Sequence, residues 1–325
     1  MERLRWVLPI VTALLPLVAD KVHALHGAAA GLIALGGLSI VDGLCWLDGG
    51  IRYDTQSSRP VSVGRFYTFL FYVYSAVLAF SFADFLRSSA TMSAADTAGH
   101  VFSWVIILGL STLVIGHILI HDSSRLHRAI GQALFSLINY PDFPMIHVHE
   151  HHRHVATAQD CQSPAPNETF YAFFVRGFLG ELACAWRPAQ LRRAIALSLM
   201  QLALLAVVWK LGGLGALAIY LLTTFLARVV IALVNYVQHY GLRRVPGQKP
   251  LIEHSWDLPH RSTSWFYFNA GFHADHHVKA ALGPDEVAFR STRYVLPYNV
   301  HIIIPMALVP WLFFRAVNPI LNAPE

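Results

Sequence analysis

The stretch Met145-Ile-His-Val-His-Glu-His-His-Arg-His-Val155 sets five imidazoles in eight positions, at His147, His149, His151, His152 and His154. A neutral imidazole offers one lone pair to a cation and can donate its other N–H to a carboxylate or carbonyl, which fixes the ring. The chemistry on offer is metal binding. In a helix, His147 and His151 stand one turn apart with His152 beside them, so one metal can meet that face. Glu150 and Asp160 are the carboxylates expected behind those rings. A solvated His-rich loop that binds metal without specificity is the plainer alternative.

Three other places repeat the pattern. His117 and His121, four apart, close an apolar run, and His239 follows another in Asn235-Tyr-Val-Gln-His-Tyr-Gly-Leu242. Phe272-His-Ala-Asp-His-His277 adds His273, His276 and His277 on one helical face. The expected ligand set is therefore His117, His121, His147, His151, His152, His239, His273, His276 and His277, with Glu150, Asp160, Glu168, Gln238 and Asp275 as outer groups. Nine ligands suit two ions, and because zinc usually stops at four, they favour a metal of higher coordination number. Imidazole accepts zinc, copper, nickel or iron, and spacing alone does not choose among them. Of the other histidines, His23, His26, His100 and His301 read as structural or interfacial. His127, His149, His154, His254 and His260 read as surface groups or neighbours of the site.

The elements that must position these rings are apolar. Hydrophobic residues make up 55% of the 325-residue chain and charged residues only 13%, with a mean hydropathy of +0.47. Such values mark a membrane protein rather than a soluble domain. Six runs approach the length of about 20 helical residues that a bilayer core requires, at about 5–19, 26–46, 66–86, 101–120, 194–209 and 214–237. The first reads as a span rather than a signal peptide, because no small-residue cleavage site follows it. The run 300–314, interrupted by Pro305 and Pro310, reads as interfacial or re-entrant.

With the N-terminus inside, the inner segments carry 19 Lys or Arg, and the outer loops carry Lys21, Arg87 and Lys210. That bias puts the histidine-bearing side in the cytoplasm. The expected fold is thus an all-α integral membrane protein. It is one domain of six transmembrane helices, capped on the cytoplasmic side by 121–193 and 241–299 around a histidine-rich di-metal site. The net charge of +5 comes from loop residues that set topology, not from a face for nucleic acid. Arg228, charged in mid-span, is expected to pair inside the bundle, with Asp42 as a candidate. The aromatics Phe66, Phe69, Phe71, Tyr72 and Tyr74 are expected to pack rather than to line a tunnel. Cys45, Cys161 and Cys184 form no Cys-x-x-Cys knuckle, so any redox work draws electrons from another protein.

The pattern His-x-x-x-His, His-x-x-x-His-His, Asn-Tyr-x-x-His-Tyr-Gly and His-x-x-His-His resembles that of the membrane-bound non-haem di-iron monooxygenases. These are the alkane hydroxylases and xylene monooxygenase hydroxylase components, within the fatty acid desaturase and hydroxylase superfamily. The resemblance continues through Val155-Ala-Thr157, Asp160, Asn167-Glu168 and Tyr171, resumes at Trp256, His260-Arg261, Asn269 and Ala307-Leu-Val-Pro310, and covers roughly 100–319. The chain departs from the alkane hydroxylase pattern at Ile118 and Asp122, while Gln238 is closer to the xylene type.

The resemblance implies two iron ions, cycling between Fe2+ and Fe3+, on the nine histidines, with O2 as co-substrate and an alkane or alkylbenzene hydroxylated at a terminal or benzylic C–H. It also implies a rubredoxin or ferredoxin-type donor with its NAD(P)H reductase, and the bacterial inner membrane with its lipid as the setting. A desaturase would use the same ions to remove a second hydrogen. A metal-binding transporter would place its ligands at the bilayer midplane instead.

Overall fold

The computed structural model describes residues 4–21, 64–291 and 293–323. The expected run 26–46, with Asp42, His23 and His26, lies outside them. Among the described residues the chain is helical, with no strand; Asp257 and Val295 form an isolated bridge.

Helix α1 spans Leu4–Lys21, α2 Gly64–Ser88, and α3 Ala94–His121. The ends of the later helices are set by capping: Ser93 accepts from the Asp96 N–H at the start of α3, and Ser124 from His127 at the start of α4, Arg125–Leu137. A short helical segment over 143–154, α5, carries the histidine-rich stretch. Thr169 caps α6, Phe170–Ala185.

Residues Leu191–His239 run as helix except at Gly212 and Gly213, where Gly213 adopts φ 72°, a conformation that favours glycine. In one straight helix, Gln201 and Tyr220 would stand about 28 Å apart. The Gln201 amide instead donates to the Tyr220 hydroxyl at 3.2 Å, so the chain doubles back at the glycines. The result is a hairpin of α7 (191–211) and α8 (214–239), which match the two runs expected at 194–209 and 214–237. Short helices α9 (Arg261–Phe266) and α10 (His273–Val278) follow. After them come α11 (Val300–Ala307) and α12 (Pro310–Leu321), bent from each other by 120°.

Among the described residues, three helical stretches are long and apolar enough to cross a membrane: Gly64–Thr91, Ala94–His121 and the hairpin Leu191–His239. The bent pair α11 and α12 makes a fourth if taken as one broken span. The apolar part of α1 is the shorter Val7–Leu17.

The arrangement brings the reactive ends together. The tip of the hairpin meets the far end of α2, where a Cβ on Gly212 would fall 2.9 Å from the Leu86 carbonyl. The near end of α2 faces the segment after α10, since Gly64 sits against the Asp285 carboxylate. The C-termini of α3 and α8, carrying His117, His121 and His239, therefore lie at one end of the bundle. Helix α4 folds back onto α3 so closely that a Cβ on Gly131 would come within 3.0 Å of the Gly116 carbonyl. In α3 itself, residues Ile107–Thr112 form a π-helical turn. The extra residue rotates the final turns, and so His117 and His121, by about 100° relative to the upstream face. The turn is held from α2, where Tyr74 and Thr112 share a hydrogen bond of 2.6 Å. Of the aromatics on α2, Phe69 is exposed and Tyr74 is fully buried, while Phe71 packs edge-on against Phe268.

Candidate metal centre

The nine expected imidazoles meet as two adjoining groups. His117, His121, His147, His152 and His276 present ligand nitrogens that all lie within 4.8 Å of one another, and His151, His239, His273 and His277 form a second set of the same compactness. The two touch: the His152 and His277 rings stack with centroids 4.5 Å apart.

The expectation that His147 and His151 serve one ion is corrected by the local backbone. His147–His151 is a π-helical turn, in which residues five apart, not four, align. His147 thus meets His152, Nε2 to Nε2 at 3.0 Å, and belongs to the five-histidine group. His151 turns to the other group.

The donor set fits a cation in each group. His117 and His147 approach at 2.7 Å, His152 and His276 at 3.1 Å, His239 and His273 at 3.0 Å, and His273 and His277 at 3.0 Å, all through Nε2. The Nε2 atoms of His121 and His151 are buried without a partner. Nitrogens bound at 2.0–2.1 Å on opposite sides of one ion stand about 4.2 Å apart, close to the spread observed. Burial, reinforced by neighbouring imidazoles, holds His147, His152, His276 and His277 well below the usual histidine pKa and pushes His273 down to about 3. These rings are neutral at pH 7 with lone pairs free to ligate.

Of the five outer groups expected, Asp160 meets one of the nine histidines. Its Oδ2 accepts from His151 Nδ1 at 2.8 Å and from the Ser163 hydroxyl at 2.6 Å, and its Oδ1 accepts from the Gln162 N–H at 3.0 Å. The others are engaged elsewhere: Glu150 with Arg187, Glu168 with Arg176 and Asp275 with Arg290. Gln238 lines the cavity described below. His127 bridges Asp122 and Tyr72, His254 accepts from the Leu251 N–H, and none of His149, His154 or His260 enters either group.

Sequence reasoning missed Asp257. The preceding Trp256 donates its backbone N–H to the Gln238 carbonyl and its indole N–H to the Tyr240 carbonyl, gripping the end of α8 around His239. Asp257 accepts from the Ala274 N–H at 2.8 Å, gripping the start of α10 beside His273. This clasp sets two parts of the four-histidine group against each other. Burial pushes the Asp257 carboxyl up to about 7. The available signal was its place beside Trp256, between His254 and His260.

A cavity of about 660 Å³, mouth included, reaches both groups: His117 and His147 line it from one and His273 from the other. Leu110, Leu113 and Val114 of α3 and Ile231 and Val234 of α8 make its walls apolar.

Residues 97–287 match the family described as fatty acid desaturase. The chain is 29% identical over 244 residues to alkane 1-monooxygenase 1 of Pseudomonas aeruginosa, covering 69% of this chain and 64% of that protein. It is 26% identical to alkane 1-monooxygenase 2 of Alcanivorax borkumensis, with 70% and 68% covered. Against the xylene/toluene monooxygenase hydroxylase component of Pseudomonas putida it is 25% identical, with 68% and 63% covered. The Pseudomonas proteins are thus matched over less than two thirds of their own length.

Proposed function

Because the chain belongs to the fatty acid desaturase family, matched over more than half its length, we propose that it is a membrane monooxygenase hydroxylating a terminal or benzylic C–H bond of an alkane or alkylbenzene. One observation carries this reading: nine imidazoles divide into groups of five and four, and an apolar cavity reaches both, lined by His117 and His147 of one and His273 of the other. The two groups would hold two iron ions, which when bound supply the activation of O2. One oxygen atom enters the substrate and the other leaves as water, consuming two electrons and two protons.

The chain's own residues do the positioning. The α3 and α8 side chains along the cavity hold an apolar molecule with one end toward His117, His147 and His273, and keep bulk water away from it. Asp160 accepts a hydrogen bond from the N–H at His151 Nδ1, which leaves Nε2 free to ligate. With no Cys-x-x-Cys pair in the sequence, the electrons come from a rubredoxin or ferredoxin-type protein and its NAD(P)H reductase. The excess of Lys and Arg on the histidine-bearing side supports a six-span bacterial inner-membrane protein with that side in the cytoplasm.

The test is expression in membranes with such a donor, feeding alkanes and alkylbenzenes under labelled O2. An alcohol carrying one labelled atom is expected. A new double bond without label would identify a desaturase, and no product from any apolar substrate would reject oxygenation.

A further inference from the structure

Arg228 lies mid-way along α8, where an unpaired charge is costly and a charged side chain often marks function. Its expected partner, Asp42, lies outside the described residues; the partner observed is Glu181 of α6, at 2.6 Å. The guanidinium is also sandwiched between rings, 3.9 Å from the Tyr140 centroid and 4.5 Å from that of Phe178. The Arg228 Nη2 donates to one Glu181 oxygen, and the other accepts from the Gln162 side-chain amide at 2.8 Å. Gln162 in turn donates its backbone N–H to Asp160 Oδ1 at 3.0 Å, and Asp160 Oδ2 holds His151 Nδ1 at 2.8 Å. Four hydrogen bonds therefore run in series from the helical span to the four-histidine group.

We propose that the Arg228–Glu181 ion pair is a positioning device for that group, fixing Gln162 and through it the carboxylate that orients His151. The inference rests on the metal reading above. An apolar pair of similar volume would pack α6 against α8 at less desolvation cost, and a buried pair in its place specifies one arrangement of the groups around it. Here that arrangement is the 160–163 loop, gripped on its other side by Arg176, which donates to the carbonyls of Cys161 and Ser163. With both grips in place, Asp160 is held in two directions.

The test uses the full chain in lipid nanodiscs with cobalt(II) as the probe, its absorption bands reporting each group, and His277→Ala identifying the bands of the four-histidine group. Glu181→Gln alters the pair, whereas Gln162→Met leaves it intact and breaks only the link to the loop. Each is expected to weaken cobalt binding at the four-histidine group by about tenfold, the low end for outer partners of a metal ligand, and to leave the other group unchanged. In an Asp160→Asn background neither should have further effect, because both act through that residue. Unchanged affinity in Gln162→Met and Glu181→Gln, losses shared equally by both groups, or losses that multiply with Asp160→Asn would overturn the proposal while leaving the metal reading standing. A wild-type chain that takes up no cobalt would overturn both.

Discussion

Asp160→Asn should disable one ion and spare the other. The carboxylate accepts at both oxygens: Oδ1 from the Gln162 N–H, Oδ2 from His151 Nδ1 and the Ser163 hydroxyl. An asparagine keeps one acceptor and gains a donor. If its NH2 takes the Oδ1 place, it faces another N–H. If it takes the Oδ2 place, it donates to His151 Nδ1 and favours the tautomer whose proton sits on Nε2, the atom that must ligate. Loss of such a partner costs metal affinity on the order of 10–100-fold, or roughly 1.4–2.7 kcal/mol. The assay is competition of the purified chain against a chelator of known affinity, with one of the two bound ions expected to weaken by that factor. Two ions held as tightly as in the wild type, or selective loss at the five-histidine group, would refute the argument.

Val234→Phe narrows the cavity beside both groups and should lower kcat/KM for bulky substrates on the order of 10²-fold, with bound metal unchanged by elemental analysis. Tyr74→Phe removes the hydrogen bond to Thr112 in the π turn of α3 and should cost about 0.6–1.7 kcal/mol, read by unfolding in mixed micelles. Asp257 binds its proton more tightly folded than unfolded, with its carboxyl at about 7 against the usual 3.8. Across that window the native state holds more protons, so this group lowers stability as pH rises. Asp257→Asn should flatten the fall in melting temperature between those pH values, and a slope as steep as the wild type would contradict the assignment.

That these nine histidines gather in one place was legible because each set lies at a helix end or on one helical face. How they divide into two groups was not legible. That depends on a π turn over His147–His151, and a sequence read at four-residue spacing pairs the wrong rings. The outer carboxylates fared similarly. Asp160 is close to His151 in sequence and meets it, whereas Glu150, Glu168 and Asp275 are drawn off by Arg187, Arg176 and Arg290. Two of these cations stand far along the chain from their partners, beyond the reach of local pattern. Arg228 was rightly expected to pair, but its partner Glu181 lies 47 residues earlier on a separate helix. The hairpin of α7 and α8 was visible as two apolar runs with a short break between 209 and 214, whereas the 120° bend between α11 and α12 was marked in sequence only by Pro305 and Pro310.

Nine nitrogens should close around two ions at one end of the bundle. X-ray absorption on iron-loaded chain purified in lipid, read with the iron-to-protein ratio, addresses it directly. Two irons per chain are expected, each in a shell dominated by imidazole, with four or five histidines apiece by the observed grouping. A ratio near zero or one, or a shell in which His273, His276 or His277 can be replaced by alanine without change, would contradict it.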